Sequence, residues 1–554
     1  MKNSYSLKNK KVLILGLGVL GGGLATAKWF FKKGAKLRVT DLKTKKELKK
    51  SIDKLNKFIN SSSILSQYKS LSKENIRVNP RNNYPRKSVV RYILGKHRKE
   101  DIDWADIIAV NPGVSYKNEL VKYALSKNKE VVNDCYLFFK YAKGDIIAIT
   151  GTRGKTTTTT WIYELLKNAD FRRFDADLRR LNKKNILLGG NQPDKGLLKI
   201  LDKTKENSVS VLELSSFQLE FYTQNLKAPK IAIITCLLRD HLNRYENMEE
   251  YAKAKANIFI NQKKDDYLIL NYDNQWTKFF LKLKPKSQVY FVSLKPLPKN
   301  LKGAFIKNNN LIIRDEKDIE IFDTQTNADI TYFREIYGEH NVYNLLFAVL
   351  AVYLYLKDKS LNIEKFKKYL QKQIFKLKTP PFRQEIVYQN KNLIIVNDSA
   401  ATTPDATIAA IRRFGQNLIL ITGGTDKNLD FKELAKEIKN KIKPENLFLL
   451  NGSATKKLID ELKKLKYPIK EENIFEDLKK IVFRILNQYK SYFHLYNNQR
   501  LSVYKKRISV YPFNNPYESV VILFSPASAS FEKFKNEFDR GKKFNKYIRQ
   551  FCQV

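Results

Sequence analysis

Residues 149–160 constrain the fold of this chain more than any other segment. They read Ile-Thr-Gly-Thr-Arg-Gly-Lys-Thr-Thr-Thr-Thr-Thr, after an apolar run and before a helix-compatible stretch. This is the order strand, glycine turn, lysine, hydroxyl residue and helix. In proteins with this arrangement, backbone N–H groups of the turn surround and bind a polyphosphate. Ile149 stands where the full motif has its first glycine, and Gly151 follows two residues later. We still expect a nucleotide loop in preference to a threonine-rich turn, with Lys155 neutralising phosphate charge and Thr156 reaching Mg²⁺.

Length and cysteine usage narrow the class of protein. The 554 residues, 43% of them hydrophobic, are enough for about three domains with sizeable cores. Cys135, Cys236 and Cys552 are far apart and form no CxxC pair, which argues against a disulfide framework or a zinc site. This usage fits a reducing cytosol, so we predict a cytoplasmic protein. The longest apolar block, 345–356, is too short to span a bilayer, and no membrane insertion is expected.

The chain is strongly basic, with a formal net charge of +47. Such a charge can indicate a nucleic-acid partner or an anionic membrane surface. Here the lysines are spread over the whole chain and do not form a stripe interleaved with aromatic residues. We therefore predict no nucleic-acid partner, and expect the surface to attract anionic small molecules instead.

The N-terminal segment carries a second glycine pattern. An apolar run at 12–15 leads into Gly16-Leu17-Gly18-Val19-Leu20-Gly21, then a helical stretch, and then a strand that ends on Asp41. Strand, G-x-G-x-x-G, helix, strand and acid form the dinucleotide fingerprint. Taken alone the fingerprint is weak, and a Rossmann-like fold that binds another nucleotide, or none, remains open.

Strand-like runs alternate with helical stretches along the rest of the chain. This alternation predicts an α/β fold with parallel sheets. We expect three domains: an N-terminal Rossmann-like domain (1–144), a central P-loop ATPase-type domain (145–378) and a C-terminal Rossmann-like domain (379–554). Two lysine-rich stretches, 43–99 and 489–519, are predicted to be insertions.

Two further residues stand out for their chemistry. Glu213 lies at the end of a strand-like run, where α/β sheets place functional groups, and could hold the Mg²⁺ shared with Thr156. An ordinary acid capping a strand would look the same. Only four histidines occur, and His241 and His340 lie in motif-like settings, which composition alone does not interpret.

Together these segments resemble the Mur ligase family, the ATP-dependent amino-acid ligases of peptidoglycan precursor synthesis. The closest likeness is to its glutamate-adding MurD type. It covers nearly the whole chain apart from the insertions: residues 151–156 look like the family's ATP loop, and Glu-Leu-Ser-Ser-Phe-Gln-Leu-Glu at 213–220 is highly specific to that type. The motifs at 240–241, 251–255, 338–344, 397–402, 423–427 and 525–541 are also similar to family motifs.

The resemblance implies roles for individual residues in ATP and metal binding. The implied catalytic residues are Lys155, His241 and Lys255, and the implied metal ligands of two Mg²⁺ sites are Thr156, Glu213, His241 and a carbamylated Lys255. The implied ATP contacts are Gly151, Thr152, Arg153, Gly154, Lys155, Thr156, Thr157, Asn341, Arg383 and Asp398.

The resemblance also implies the substrates, UDP-N-acetylmuramoyl-L-alanine and glutamate, and a monomer. It implies that the N-terminal fingerprint belongs to a UDP site. The implied UDP contacts are Gly16, Gly18, Val19, Asp41, Asn111, Gly113, Asn191 and Ser215. The implied glutamate contacts are Thr402, Lys427, Ser530 and Phe531. An acyl phosphate on the alanyl carboxylate would be attacked by the glutamate amine, after closure of the C-terminal domain.

The chain departs from the family pattern at several of these positions. Arg153 replaces an asparagine in the ATP loop, Ala400 replaces a lysine, Phe382 replaces a histidine, and Glu537 replaces an aromatic residue beside Phe538. Cys236 and Asn243 also replace polar residues. We expect D-glutamate as the substrate, and the altered pocket leaves open a relative that adds L-glutamate.

Three other hypotheses about the function remain to be tested. A folylpolyglutamate synthase-like ligase would lack the N-terminal UDP-type domain. A non-catalytic nucleotide- or RNA-binding protein would need clustered basic and aromatic residues, and an NAD dehydrogenase leaves the ATP loop unexplained.

Overall fold

The computed structural model describes ten stretches of the chain: residues 7–19, 21–61, 90–169, 185–192, 195–322, 329–357, 361–390, 392–415, 417–489 and 519–552. The predicted insertion at 43–99 contains the helix Lys45–Ile59 and, at Val90–Leu94, a strand of the first sheet. At that strand the prediction of an insertion was wrong, because these residues pair with Lys36–Asp41 as part of the sheet. Residues 62–89 of that insertion, and nearly all of the one at 489–519, lie outside the described residues.

The first sheet is fully parallel and has five strands in the order β3-β2-β1-β4-β5. Its central strand β1 is buried along its last four residues, since helices cover both faces of such a sheet. The strands are β1 (Lys11–Leu15), β2 (Lys36–Asp41), β3 (Val90–Leu94), β4 (Ile107–Val110) and β5 (Glu130–Val132). The helices are Gly22–Lys32, Lys45–Ile59, Lys99–Trp104, Glu119–Ser126 and Asp134–Tyr141. The predicted strand, glycine turn, helix and strand are confirmed in this sheet.

The second sheet has nine strands in the order β14-β13-β12-β11-β10-β9-β6-β8-β7. It is parallel from β7 to β12, and β12, β13 and β14 pair in antiparallel fashion at one edge. Its strands are β6 (Asp145–Thr150), β7 (Ile186–Gly190), β8 (Val209–Glu213), β9 (Ile231–Ile234), β10 (Tyr267–Asn271), β11 (Gln288–Ser293), β12 (Gly303–Lys307), β13 (Asn310–Arg314) and β14 (Asp318–Glu320). The strand that leads into the predicted nucleotide loop, β6, therefore lies between two parallel neighbours, β8 and β9.

Helices follow or flank these strands. They are Lys155–Asn168, Leu197–Leu201, Ser216–Leu219, Met248–Ala256, Thr277–Lys282, Ile330–Tyr337, Glu339–Lys357 and Ile363–Gln373. No helix among the described residues is long and apolar enough to cross a membrane.

The third sheet has six strands in the order β15-β16-β20-β17-β18-β19 and is parallel except for β15. Its strands are β15 (Glu385–Gln389), β16 (Leu393–Asn397), β17 (Leu418–Thr422), β18 (Leu447–Leu450), β19 (Ile474–Phe475) and β20 (Val520–Phe524). Its helices are Pro404–Phe414, Lys432–Lys441, Ser453–Lys464, Leu478–Gln488 and Glu537–Cys552.

The chain divides into two compact units. One consists of Met1–Ile321 with Tyr343–Leu370 and contains the first two sheets, and the other consists of Phe322–Val342 with Gln371–Val554 and contains the third. The predicted α/β class with sheets of mainly parallel strands is confirmed. The domain boundaries at 144 and 378 stay a prediction.

Candidate active site

The nucleotide-loop segment forms a tight turn between β6 and the helix Lys155–Asn168. Gly151 has a φ of 143° and Gly154 a φ of 82°, a region of backbone conformation that side chains disfavour. A Cβ at Gly151 would overlap Thr235 Oγ1, and a Cβ at Gly154 would overlap Asn344 Oδ1. Both glycines are therefore required by the packing beneath the loop, and backbone N–H groups open the helix.

Two lysines converge on one carbonyl oxygen of this loop. Lys155 Nζ donates to Gly151 O at 2.9 Å and to Thr152 O at 3.1 Å, while Lys255 Nζ donates to Gly151 O at 2.8 Å. Lys255 is only 1% exposed, and its Nζ lies 4.6 Å from the centre of the Tyr251 ring. Burial, followed by the charge of Lys155, lowers the pKa of Lys255 well below its usual value. The arrangement favours a neutral Lys255 amine.

The loop that follows β9 contributes an acid and a histidine. Asp240 Oδ2 lies 3.1 Å from Arg153 Nη1, and Asp240 Oδ1 accepts from the His241 backbone N–H at 2.9 Å. Burial on its own would raise the pKa of Asp240, but His241 and Arg153 outweigh it and the pKa is lowered. The imidazole of His241 packs edge-on against the Phe217 ring at 4.9 Å. The pairing of Arg153 with Asp240 was not predicted, although the unusual arginine in the loop was a visible signal.

Glu213 ends β8 beside the loop-bearing strand, with Ile149 as its partner in register. The side chain is 3% exposed, and Oε2 has no hydrogen-bond partner among the described residues. A buried carboxylate oxygen without a partner is costly unless a cation or water satisfies it. The oxygen and its position therefore fit a hard divalent cation.

In the described part of the chain, the predicted metal ligands do not form a cluster of acidic and histidine side chains. Thr156 lies in the first turn of the helix Lys155–Asn168, which follows β6, and β6 is the neighbour of the strand that Glu213 ends. His241 lies in the Asp240 loop. Across the described residues, no group of three or more His, Cys, Asp and Glu side chains gathers in an arrangement that could hold a metal. A cation at Glu213 would thus take its other oxygen ligands from a hydroxyl, a nucleotide or water.

The predicted UDP-site residues of the first sheet come together at the carboxyl ends of β1, β2 and β4. Asp41 Oδ2 accepts from the Gly18 N–H at 2.9 Å. Asn111 Nδ2 donates to Gly16 O at 3.2 Å, and Asn111 Oδ1 accepts from the Gly113 N–H at 3.0 Å. These contacts fix the glycine loop against its neighbours, and Val19 at its tip is 56% exposed.

The other two predicted UDP-site residues lie in the second sheet. The backbone N–H of Asn191 donates to Glu213 O at 2.8 Å. Ser215 Oγ caps the helix Ser216–Leu219 by accepting from the Gln218 N–H at 3.2 Å, and the Gln218 side chain accepts from the Ser215 N–H in return. Asn191 is therefore next to Glu213 across the sheet, and Ser215 is two residues after Glu213 in the chain.

The remaining predicted ATP contacts lie in the second unit. Asp398 is buried and accepts from the Gln384 N–H at 3.0 Å and from Ser525 Oγ at 2.7 Å. Burial raises the pKa of Asp398 to about 7, with Arg383 among the charges that oppose the rise. Asn341 Nδ2 donates to Tyr337 O at 2.6 Å and lies 3.0 Å from His340 Nε2.

The predicted glutamate contacts lie around the carboxyl ends of β16, β17 and β20. Ser530 is 3% exposed and its Oγ has no hydrogen-bond partner among the described residues, whereas Phe531 is 61% exposed. Thr402 follows β16 and Lys427 follows β17.

Arg540 organises these loops, and sequence reasoning noted it only as part of a motif. The fully buried guanidinium donates to Ser399 O at 2.8 Å, Ser528 O at 3.0 Å and Ala529 O at 3.1 Å. Its Nε also donates to Ser399 Oγ at 3.1 Å. Such an arginine has no sequence signature, because most of its acceptors are backbone carbonyl oxygens.

Comparison with known proteins adds three findings. Residues 149–352 match the family model described as the Mur ligase middle domain. A curated protein of Borreliella afzelii (strain PKo) is 32% identical over 550 residues, which is 98% of each chain. One of Clostridioides difficile (strain 630) is 33% identical over 450 residues, covering 81% of this chain and 85% of that protein. Both relatives are named UDP-N-acetylmuramoylalanine–D-glutamate ligase.

A solved structure supports the fold alone. The UDP-N-acetylmuramate-alanine ligase MurC of Thermotoga maritima aligns with a TM-score of 0.50 at 16% identity, covering 98% of this chain and 99% of that one.

Proposed function

The chain belongs to the Mur ligase family and is a ligase, and from that premise we propose that it joins D-glutamate to UDP-N-acetylmuramoyl-L-alanine with ATP. The observation that carries the proposal is the buried Glu213 carboxylate, whose Oε2 is without a partner among the described residues, beside a loop with two converging lysines. The names of the relatives supply the substrates and the D configuration.

The proposed reaction has two steps. An oxygen of the alanyl carboxylate attacks the γ-phosphorus of ATP, and ADP leaves with the electrons of the broken P–O bond. The glutamate amine then attacks the carbonyl carbon of the acyl phosphate, phosphate leaves, and the nitrogen loses a proton to give the amide. Lys155 would offset the charge of the phosphoryl group during the first step.

The residues at the loop fit Mg²⁺ together with ATP. Thr156 and Glu213 would hold the ion, because a hydroxyl and a carboxylate are oxygen ligands that Mg²⁺ prefers. The ion would neutralise negative charge on the phosphates. The unpartnered Glu213 oxygen supports this assignment, since a cation would remove its desolvation cost.

We further propose that Lys255 is carbamylated and, with His241, contributes to a second Mg²⁺ site. Carbon dioxide adds to a neutral amine, and burial together with Lys155 favours the neutral form of Lys255. The carbamate is an anion, and it would add negative charge close to Lys155, whose Nζ shares the Gly151 carbonyl with the Nζ of Lys255. After incubation with isotope-labelled bicarbonate, we expect carbon NMR to show a carbamate signal in the wild type and none in Lys255→Ala. The absence of that signal from the wild type would contradict the assignment.

The remaining proposals concern the domains and the residues that contact each substrate. We propose three domains, 1–144 for the UDP substrate, 145–378 for ATP and 379–554 for the amino acid, in a monomer that takes no nucleic acid. The UDP contacts are the residues around Asp41 and Asn111 with Asn191 and Ser215. Asn341, Arg383 and Asp398 would contact ATP, and Thr402, Lys427, Ser530 and Phe531 would orient glutamate.

The test is release of ADP in a coupled assay with each substrate omitted in turn. We expect turnover only when ATP, UDP-N-acetylmuramoyl-L-alanine and D-glutamate are all present. Lys155→Ala should lower it by a factor of about a thousand or more, while Lys167→Ala, an exposed lysine at the far end of the same helix, should not. A preference for L-glutamate, or full activity of Lys155→Ala, would contradict the proposal.

A further inference from the structure

Arg244 lies at a junction of three segments of the first unit. Its Nε and Nη2 form a bidentate pair with Glu220, at 2.8 Å to Oε1 and 2.6 Å to Oε2. Its Nη1 donates to Gly113 O at 3.0 Å and Nη2 donates to Val114 O at 3.1 Å. The guanidinium also stacks on the Phe217 ring at 4.0 Å. One side chain thus joins the loop after β4, the segment after β8 and the loop after β9.

The carboxylate of Glu220 also accepts two hydrogen bonds from other residues. Glu220 Oε2 accepts from the Tyr116 N–H at 3.2 Å, and Oε1 accepts from the Tyr245 hydroxyl at 2.7 Å. The side chains of Arg244 and Glu220 are 10% and 9% exposed. Because so little of the pair is exposed, a substitution that disrupts the bidentate contact leaves a buried charge without a matched partner.

On one side, Arg244 reaches the glycine loop of the first sheet. The Gly113 carbonyl that Arg244 holds belongs to the residue whose N–H donates to Asn111 Oδ1 at 3.0 Å. Asn111 Nδ2 in turn donates to Gly16 O. Three hydrogen bonds, by way of Gly113 and Asn111, therefore link the guanidinium to the glycine loop.

On the other side, Arg244 belongs to the turn that starts at His241. The Arg244 backbone N–H donates to His241 O at 2.9 Å, and the His241 ring packs on the same Phe217 ring as the guanidinium. A shift of the Arg244 side chain would thus move both the Gly113 carbonyl and the ring against which His241 packs.

We propose that Arg244 is a positioning residue that couples occupancy of the loop at Gly113 to the loop that carries His241. The inference rests on the proposed function, in which the first loop binds the UDP substrate and the second serves the phosphoryl transfer. Binding of the UDP substrate at the first loop would order the second, so that nucleotide binds more tightly to the substrate-bound enzyme.

The chain supplies a matched control in the same unit. Arg314 forms a bidentate pair with Asp318 at 2.7 and 3.1 Å, donates through Nη1 to the carbonyls of Leu297 and Pro298, both at 3.1 Å, and stacks on Phe305 at 4.6 Å. It therefore has the same kinds of partner as Arg244, at the antiparallel edge of the second sheet. Lysine cannot reproduce a bidentate pair together with two carbonyl contacts, so Arg244→Lys and Arg314→Lys are comparable changes.

The test measures the dissociation constant of Mg²⁺ and AMP-PNP by calorimetry, with and without saturating UDP-N-acetylmuramoyl-L-alanine. For the wild type we expect the UDP substrate to tighten nucleotide binding about fivefold or more, the lower range of coupling between sites. Arg244→Lys should bring this ratio close to one, leave the dissociation constant of nucleotide alone unchanged, and raise KM for the UDP substrate. Arg314→Lys should keep the wild-type ratio.

The outcomes separate this inference from the proposed function. A wild-type enzyme that ligates but shows no coupling, or an Arg244→Lys enzyme with the wild-type ratio, overturns the role of Arg244 alone. A wild-type enzyme that does not bind the UDP substrate overturns both. If Arg244→Lys does not fold, Glu220→Gln weakens the same pair at nearly constant volume and is expected to lower the ratio in the same way.

Discussion

At the scale of single residues, the site combines two lysines on one carbonyl oxygen with a buried carboxylate. Lys155 and Lys255 share the Gly151 carbonyl, and Glu213 has a buried oxygen without a partner among the described residues. The sequence predicted Lys155 and Glu213 from their places after strands. Nothing but the family resemblance pointed to Lys255, because its contact to Gly151 joins residues far apart in the chain, and a pKa depends on burial that no local pattern encodes.

His340 gives a pH-dependent prediction at the same scale. Burial, followed by the charge of Arg413, lowers the pKa of His340 from 6.5 to about 4, and the Asn341 amide facing its Nε2 favours the neutral ring. A lowered folded-state pKa means stability that is present above pH 6.5 and lost as the pH falls through about 4.

The change to make is His340→Gln, which keeps an acceptor for Asn341 but cannot take up the proton. Between pH 7 and pH 5 we expect the wild type to lose about 2 kcal/mol of unfolding free energy more than the variant. Urea unfolding at both pH values measures the difference. Parallel losses in the two proteins would show that His340 is not the titrating group.

At the scale of elements, the loop between β6 and its helix depends on what lies beneath it. Gly154 has a positive φ and sits against Asn344, whose Oδ1 also accepts from Thr158 Oγ1 at 3.1 Å. The loop therefore has two separable requirements, a left-handed backbone and an empty Cβ position.

Gly154→Ala violates both requirements, whereas Gly95→Ala violates only the first. Gly95 has a φ of 79°, and nothing lies within 4 Å of the place of its Cβ. Each change should cost about 1 kcal/mol of stability for the backbone alone, but only Gly154→Ala should weaken ATP binding, by a factor of about ten or more, because the loop must shift. Calorimetric titration with ATP compares the two, and equal affinities would show that the loop tolerates the overlap.

The sheets also show which elements a sequence can predict. Parallel strands such as β6, β8, β9 and β17 are covered on both faces and read as continuous apolar runs, so they were located correctly. The antiparallel hairpin of β12 and β13 was missed, although its strands are as long as β8 and β17. A signal was present, since Asn308 and Asn309 both have positive φ, as in the turns that asparagine favours between hairpin strands. Strand order was not predictable, because it depends on contacts between distant segments.

At the scale of the whole molecule, the charge of +47 is the dominant physical property. The proposed substrates are all anions, so long-range attraction should speed their capture without changing the chemistry at the site. Salt screens such attraction between separated charges far more than it screens buried contacts.

We therefore expect kcat/KM for the UDP substrate to fall severalfold between about 0.05 M and about 0.5 M salt, while kcat changes little. Initial rates at varied ionic strength measure both constants. A kcat that falls in parallel with kcat/KM would place the effect at the site, and a flat kcat/KM would show that the dispersed charge does not steer the substrate.

The central claim is that the unpartnered Glu213 oxygen holds the Mg²⁺ that accompanies ATP. It is tested most directly by the Mg²⁺ dependence of ADP release in Glu213→Gln, with Glu206→Gln as the control, an exposed acid shortly before the same strand. We predict that Glu213→Gln needs about tenfold more Mg²⁺ or higher for its half-maximal rate, and that Glu206→Gln follows the wild-type curve. A Glu213→Gln enzyme with the wild-type Mg²⁺ curve would contradict the account.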